Sequence, residues 1–286
     1  MTAYLRPTTI DEAVAARAEH PDYMVLAGGT DLLVSAVRKP TPPGIIDVFG
    51  LEPLSQIATA PDGTITIGAA TPYSAIIAST VVCDELPMLR DCCREIGALQ
   101  IQARGTIGGN IGTSSPVGDT LPVLLALDAQ IELASSSGRR MVPYDTFCIG
   151  YRKTDLRNNE LIVSVVFPPR PAGLYQYWRK VGTRRAQSIS KAMIGACATL
   201  ANGRVAHVRV GLGAVADRPV RAIIVEDAIR GRPPGTELAA IARAAGREDM
   251  SPISDVRSTS RYRQRVTQNL LARFVLSLAG RNQDNR

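Results

Sequence analysis

The apolar positions of this chain fall into short blocks whose period switches repeatedly between helix and strand. Thr9-Ile10-Asp11-Glu12 has the form of a capping box, and the alanine-rich run behind it reads as a helix to about Glu19. Met24-Val25-Leu26-Ala27 reads as a short buried strand ended by Gly28-Gly29. A helix is expected from Asp31 to Arg38, stopped by Pro40, Pro42 and Pro43, with a further strand at Ile45-Ile46-Asp47-Val48. Thr64 to Gly68 alternates as a half-buried strand should, and helical segments follow over 72–79 and 84–99. The stretch from Gly105 to Asp119, rich in Gly, Ser, Thr and Pro, is expected to be a loop. Thr120 to Leu127 is apolar, with Pro122 placed where a first helical turn tolerates it. Strands are expected around Ile131–Leu133, Arg140–Val142 and Leu161–Phe167.

Pro168-Pro169-Arg170-Pro171 marks a boundary beyond which the texture changes. Two β-rich runs, 191–200 and 205–215, flank Asn202-Gly203, a strong hairpin signal. Helical segments then cover about 222–230, 236–247 and 259–279. At roughly 100–200 residues per domain, the chain divides into a first domain over 1–170, with subdomains of about 1–58 and 59–170, and a second over 171–282. The second reads as an antiparallel sheet packed with helices.

Composition narrows the function classes. Hydrophobic residues make up 45% and charged residues 21%, so an ordinary core can form without a disulfide framework. Net charge is +7, but the basic residues are scattered singly and in pairs, such as Arg139-Arg140 and Arg184-Arg185. That pattern argues against nucleic acid as a partner. The N-terminal residues show no basic segment followed by an apolar core, and no apolar run approaches a membrane span. A soluble, cytoplasmic protein is expected. Five cysteines, at 83, 92, 93, 148 and 197, fit no familiar metal spacing and read as reduced thiols. The two histidines, His20 and His207, lie away from the glycine-rich segments.

Two glycine-rich segments carry the candidate chemistry. In Ala27-Gly28-Gly29-Thr30-Asp31 a strand enters and a helix leaves, so backbone N–H groups can approach an anion closely. In Thr106-Ile107-Gly108-Gly109-Asn110-Ile111-Gly112-Thr113-Ser114-Ser115-Pro116 three glycines and several hydroxyls fit a backbone cradle for phosphate and sugar oxygens. Asp119 then either accepts hydrogen bonds from sugar hydroxyls or caps the helix that starts near Thr120. Neither segment matches a P-loop or a Rossmann fingerprint. Two separated cradles suit a diphosphate between two subdomains, hence a dinucleotide of unspecified kind.

The order and spacing of these motifs resemble a known family. Leu26 to Asp31, Gly105 to Asn110 and Ser115-Pro116…Asp119…Pro122 look like the FAD-binding subunit of molybdenum hydroxylases of the xanthine dehydrogenase and carbon monoxide dehydrogenase type. Gly150 to Asp155 with Glu160 to Val163, Arg179 to Ser190, and Ser254 to Ser258 with Tyr262-Arg263 resemble later segments of the same family. The resemblance implies an α+β fold: a two-subdomain FAD domain of the vanillyl-alcohol-oxidase (PCMH) type, then a smaller domain of antiparallel sheet and helices like that of carbon monoxide dehydrogenase flavoproteins. It implies FAD bound non-covalently. Molybdopterin would sit on a large partner subunit and 2Fe–2S clusters on a small one, in a dimer of heterotrimers.

By the same resemblance, Leu26, Ala27, Gly28, Gly29, Thr30 and Asp31, together with Thr106, Ile107, Gly108, Gly109, Asn110 and Thr113, belong to the pyrophosphate segments. Asp119 matches a carboxylate near the sugar portion, Ile96 and Ile162 match apolar positions beside the rings, and Lys180 matches a lysine near the flavin. Ile96 stands where xanthine dehydrogenases place an aromatic. From the residues alone, Ile96 and Ile162 read first as core packing, and Lys180 reads equally as a solvated strand end. The implied role is electron transfer from partner clusters through FAD to an external acceptor, with a lean toward purines or other N-heterocycles as substrate. A stand-alone FAD-dependent oxidoreductase of the same fold is the alternative, disfavoured because no general base is evident.

Overall fold

The computed structural model describes residues 2–284 apart from 33, 35–40 and 186, with side chains to residue 280. The helix expected over Asp31–Arg38 lies largely outside the described residues. The chain starts with a parallel three-stranded sheet, in which β1 (Ala3–Leu5) and β2 (Met24–Leu26) flank β3 (Gly44–Asp47). Between β1 and β2 runs α1 (Ile10–Glu19). Its Thr9 hydroxyl accepts from the Glu12 amide at 3.1 Å. The returning Glu12 carboxylate accepts from the Thr8 amide and hydroxyl at 2.7 and 2.8 Å, one residue earlier than a standard capping box.

A five-stranded antiparallel sheet follows, built from β4 (Ile57–Thr59), β5 (Ile65–Gly68), β6 (Gln130–Ser135), β7 (Gly138–Pro143) and β10 (Leu161–Phe167), in the order β4-β5-β10-β6-β7. A short hairpin, β8 (Cys148–Gly150) with β9 (Lys153–Thr154), leads into β10. Between β5 and β6 lie six helices: α2 (Tyr73–Ala78), α3 (Thr80–Glu85), α4 (Pro87–Arg94), α5 (Leu99–Arg104), α6 (Ile107–Thr113) and α7 (Leu121–Ala126). Helix α6 corrects the loop expected over 105–119.

The second, sheet-rich domain has the antiparallel order β11-β12-β13-β14, from β11 (Tyr175–Val181), β12 (Ala192–Ala201), β13 (Arg204–Gly213) and β14 (Val220–Arg221). Asn202 and Gly203 sit at φ 51° and 71°, the double left-handed turn that matches strand twist in a tight hairpin. After the short Tyr144–Phe147 helix (α8), helices α9 (Ile223–Ile229), α10 (Thr236–Ala245) and α11 (Ser260–Asp284) complete the chain. Phe274 of α11 is fully buried against Tyr175 and Tyr177.

Strand alternation joins the two domains. Tyr175 and Tyr177 of β11 face α11, whereas Gln176, Trp178 and Lys180 face the first domain. Gln176 donates to the Glu85 carbonyl at 2.7 Å and accepts from the Met88 amide at 3.2 Å. Apolar α7 lies across β12 and β13 where glycines remove the side-chain layer. A methyl at Gly211 would come within 2.1 Å of the Pro122 carbonyl oxygen. No helix among the described residues is long and apolar enough to cross a membrane.

Candidate functional site

A cleft of about 1200 Å³ runs between the end of β2, helix α6, strand β10 and the loops of the second domain. The first glycine segment forms one wall. Gly28 is pressed against the backbone before α6: a methyl there would lie 1.7 Å from the Arg104 carbonyl oxygen. Gly29 adopts φ +75°, which side-chain-bearing residues rarely adopt. The amides of Ala27 to Asp31 donate no hydrogen bond to another described residue. A run of unused N–H groups beside a cavity is the donor array an anion needs.

The second glycine segment behaves differently. Thr106 caps α6, its hydroxyl accepting from the Gly109 amide at 3.1 Å. The Ile107 amide donates to the Thr71 carbonyl at 3.3 Å, Gly108 to Ala69 at 2.8 Å, and Asn110 to Thr106 at 3.1 Å. Of the amides that a helix N-terminus usually leaves open, those of Ile107, Gly108 and Gly109 are therefore used, and Asn110 makes the first intrahelical bond. Gly108 is dictated by packing, because a methyl there would sit 2.6 Å from the Ala69 carbonyl oxygen. Ser114, at φ 45°, ends the helix. What α6 offers the cleft is side-chain chemistry. Asn110 Oδ1 accepts from the Thr120 hydroxyl at 2.5 Å, leaving the amide NH₂ as a donor.

Asp119 lines the cleft and is 9% exposed. Its carboxylate accepts from the Ser190 hydroxyl at 2.6 Å and from the Lys180 ammonium. Lys180 also donates to the Glu95 carbonyl at 3.3 Å. Burial pushes the Asp119 carboxyl above its ordinary pKa, against the opposing pull of Lys180 and Ser190. Helix α7 has no side-chain cap, so capping is not the role Asp119 plays here. The pair ties the end of the second glycine segment to β11. Glu95, half-buried nearby, is likewise raised by burial and lowered in part by Lys180.

Most of the expected site residues meet in this one cleft: Ala27, Gly28, Gly29, Thr30, Asp31, Ile96, Thr106, Gly108, Gly109, Asn110, Thr113, Asp119 and Ile162. Three do not line it. Leu26 is half-buried within β2, Ile107 is fully buried in the core, and Lys180 stands behind Asp119. The Thr113 hydroxyl reaches Asp31 at 3.4 Å, so the two segments touch. Sequence reasoning missed Ser190, Arg17 and Arg152. Arg152 lines the cleft and lies inside the Gly150–Asp155 motif that carries part of the family resemblance. Arg17 occupies an unremarkable helical position, with no local signal.

Fold and cleft together define an α+β protein with a second, sheet-rich domain and a large cleft beside the glycine turn after β2. Comparison with known proteins supplies the family. A family model described as the FAD binding domain in molybdopterin dehydrogenase matches residues 1–170, and the CO dehydrogenase flavoprotein C-terminal domain matches residues 177–278. The chain is 30% identical to the nicotine 6-hydroxylase medium subunit of Paenarthrobacter nicotinovorans, over 97% of each chain. It is 31% identical to the glyceraldehyde dehydrogenase medium chain of Sulfolobus acidocaldarius, over 97% of this chain and 98% of that one. Its fold superposes on carbon monoxide dehydrogenase from Hydrogenophaga pseudoflava with a TM-score of 0.92 at 29% identity, covering 98% of both chains. The chain belongs to the family of FAD-binding medium subunits of molybdenum hydroxylases; it is an oxidoreductase subunit and its cofactor is FAD.

Proposed function

We propose that this chain is the electron outlet of a multi-subunit molybdenum hydroxylase. Substrate is oxidised at a molybdopterin centre on a large partner subunit, and electrons cross 2Fe–2S clusters on a small one. They reach FAD on this chain and leave to an external acceptor. The assembly is a dimer of such heterotrimers in the cytoplasm. An N-heterocycle such as a purine is the substrate class, supported by the likeness of Arg179–Ser190 to purine hydroxylases. The division into 1–170 and 171–282 is supported by the ranges of the two family models.

The observation that carries this reading is the run of unengaged amides at Ala27–Asp31, on the wall of a cleft of about 1200 Å³. The residues present fit FAD. Gly28 and Gly29 let the backbone approach the diphosphate, and Thr30 and Asn110 add side-chain donors. Ile96 and Ile162 give apolar contact, and Asp119, held by Lys180, accepts from cofactor hydroxyls. When bound, the flavin supplies the redox chemistry. The chain's own part is to bind and orient it, which requires no general base.

The test is purification with native partners. A yellow chain with a flavin spectrum, co-purifying with molybdenum- and iron-containing subunits that together oxidise an N-heterocycle, is the expected result. A colourless chain that FAD cannot reconstitute would sink the reading. A yellow chain that never associates with such subunits would point to a stand-alone oxidoreductase.

A further inference from the structure

A diphosphate near Gly28 and Gly29 poses an electrostatic problem. The segment ends in Asp31, a partly exposed carboxylate on the same cleft wall. A doubly charged anion beside it is repelled unless a cation compensates. Amides of α6 cannot do so, because they are already committed.

The cleft's cations differ in their engagements. Lys180 is held by Asp119 behind the wall. Arg263 is held by Asp255 at 2.8 Å and by the Lys191 and Ala214 carbonyls. Arg17 donates to the Tyr23 carbonyl at 2.7 Å, and Arg257 makes a 3.6 Å ion pair with Asp255 in the loop before α11. Arg152 is set apart by its place against the first glycine segment. It stands at the tip of the β8–β9 hairpin at φ 51°, lines the cleft, and among the described residues its guanidinium makes only a 3.8 Å ion pair with Asp31. That distance is too long for a hydrogen bond, so its planar fork of donors stays uncommitted beside the unengaged amides.

We propose that Arg152 is the counter-charge of the cofactor's diphosphate, leaving Asp31 for that anion when FAD binds. Guanidinium suits the task because its paired N–H groups match two phosphate oxygens. Asp31 holds the arginine over the cleft before binding and competes with the ligand for it. This rests on FAD occupying the cleft as proposed above.

The competition separates Arg152 and Asp31 experimentally. The full chain, stripped of flavin, is titrated with FAD and with riboflavin, which lacks phosphate. Arg152→Ala should weaken FAD binding roughly 10–100-fold, the range for losing charge-assisted hydrogen bonds. Riboflavin binding should be unchanged, and Arg152→Lys should recover part of the loss. Asp31→Asn should bind FAD as tightly as wild type or more tightly. Matching melting temperatures confirm that each variant is folded. If Arg152→Ala binds FAD normally, or weakens riboflavin equally, the assignment is wrong. If Arg152→Ala and Asp31→Asn both weaken FAD alike, the pair is a structural latch and the assignment is also wrong. A wild-type chain that binds neither ligand overturns the reading of the cleft itself.

Discussion

The two glycine segments share composition and line the same cleft, yet their backbones are used in opposite ways. Ala27–Asp31 is an open turn whose amides have no partner among the described residues. Thr106–Thr113 is a capped helix whose first amides are already bonded to Thr106, Thr71 and Ala69. In the first segment glycine serves conformation and approach, with Gly29 at φ +75° and Gly28 against Arg104. In the second, Gly108 serves packing against Ala69. Glycine density near a cavity is therefore not evidence of a ligand cradle. The state of the backbone donors is what distinguishes them.

The contrast can be broken at several points. The largest effect should come from Lys180→Met, which leaves Asp119 buried without its cation and unfastens the second segment from β11. Removing one partner of such a pair costs about 3–5 kcal/mol. Denaturant titration measures it, and a change below about 1 kcal/mol would mean Asp119 is held by other groups. Next, Gly108→Ala should cost about 1–3 kcal/mol of stability by overpacking against Ala69. Any folded fraction should keep FAD affinity near that of wild type. Gly29→Ala should do the reverse: about 1–2 kcal/mol of stability from the left-handed backbone, but a clear loss of FAD affinity. Equal loss of affinity in both variants would remove the distinction between the segments. A smaller effect is expected from Thr106→Ala, which removes the α6 cap at about 1 kcal/mol. The uncapped Gly109 amide then becomes available, so FAD binding should be unchanged or slightly tighter.

Much of this was legible beforehand, and the exceptions have physical causes. Thr9 with Glu12, the Asn202-Gly203 turn and the alternation of β5 are local signals, and local chemistry decides them. Helix α6 was hidden because glycine is a poor helix former. Here tertiary contact at Gly108 and the Thr106 cap override that propensity. Asp119 and Lys180 were each singled out, but nothing local links positions 61 residues apart. Their pairing, and that of Asp119 with Ser190, exists only once β11 has docked. The ambiguity over Asp119 as a helix cap was resolved the same way, by partners from the second domain. Arg152 went unnoticed because its significance lies in charge balance across the cleft.

The central claim is that the amides of the first segment hold the diphosphate and those of the second do not. Hydrogen–deuterium exchange of the full chain with and without FAD reads those amides directly. The account predicts that Gly28, Gly29, Thr30 and Asp31 exchange fast in the free chain and gain protection on binding. Ile107 to Asn110 should be protected already and change little. Equal gains in both segments, or a gain confined to Ile107–Asn110, would contradict it.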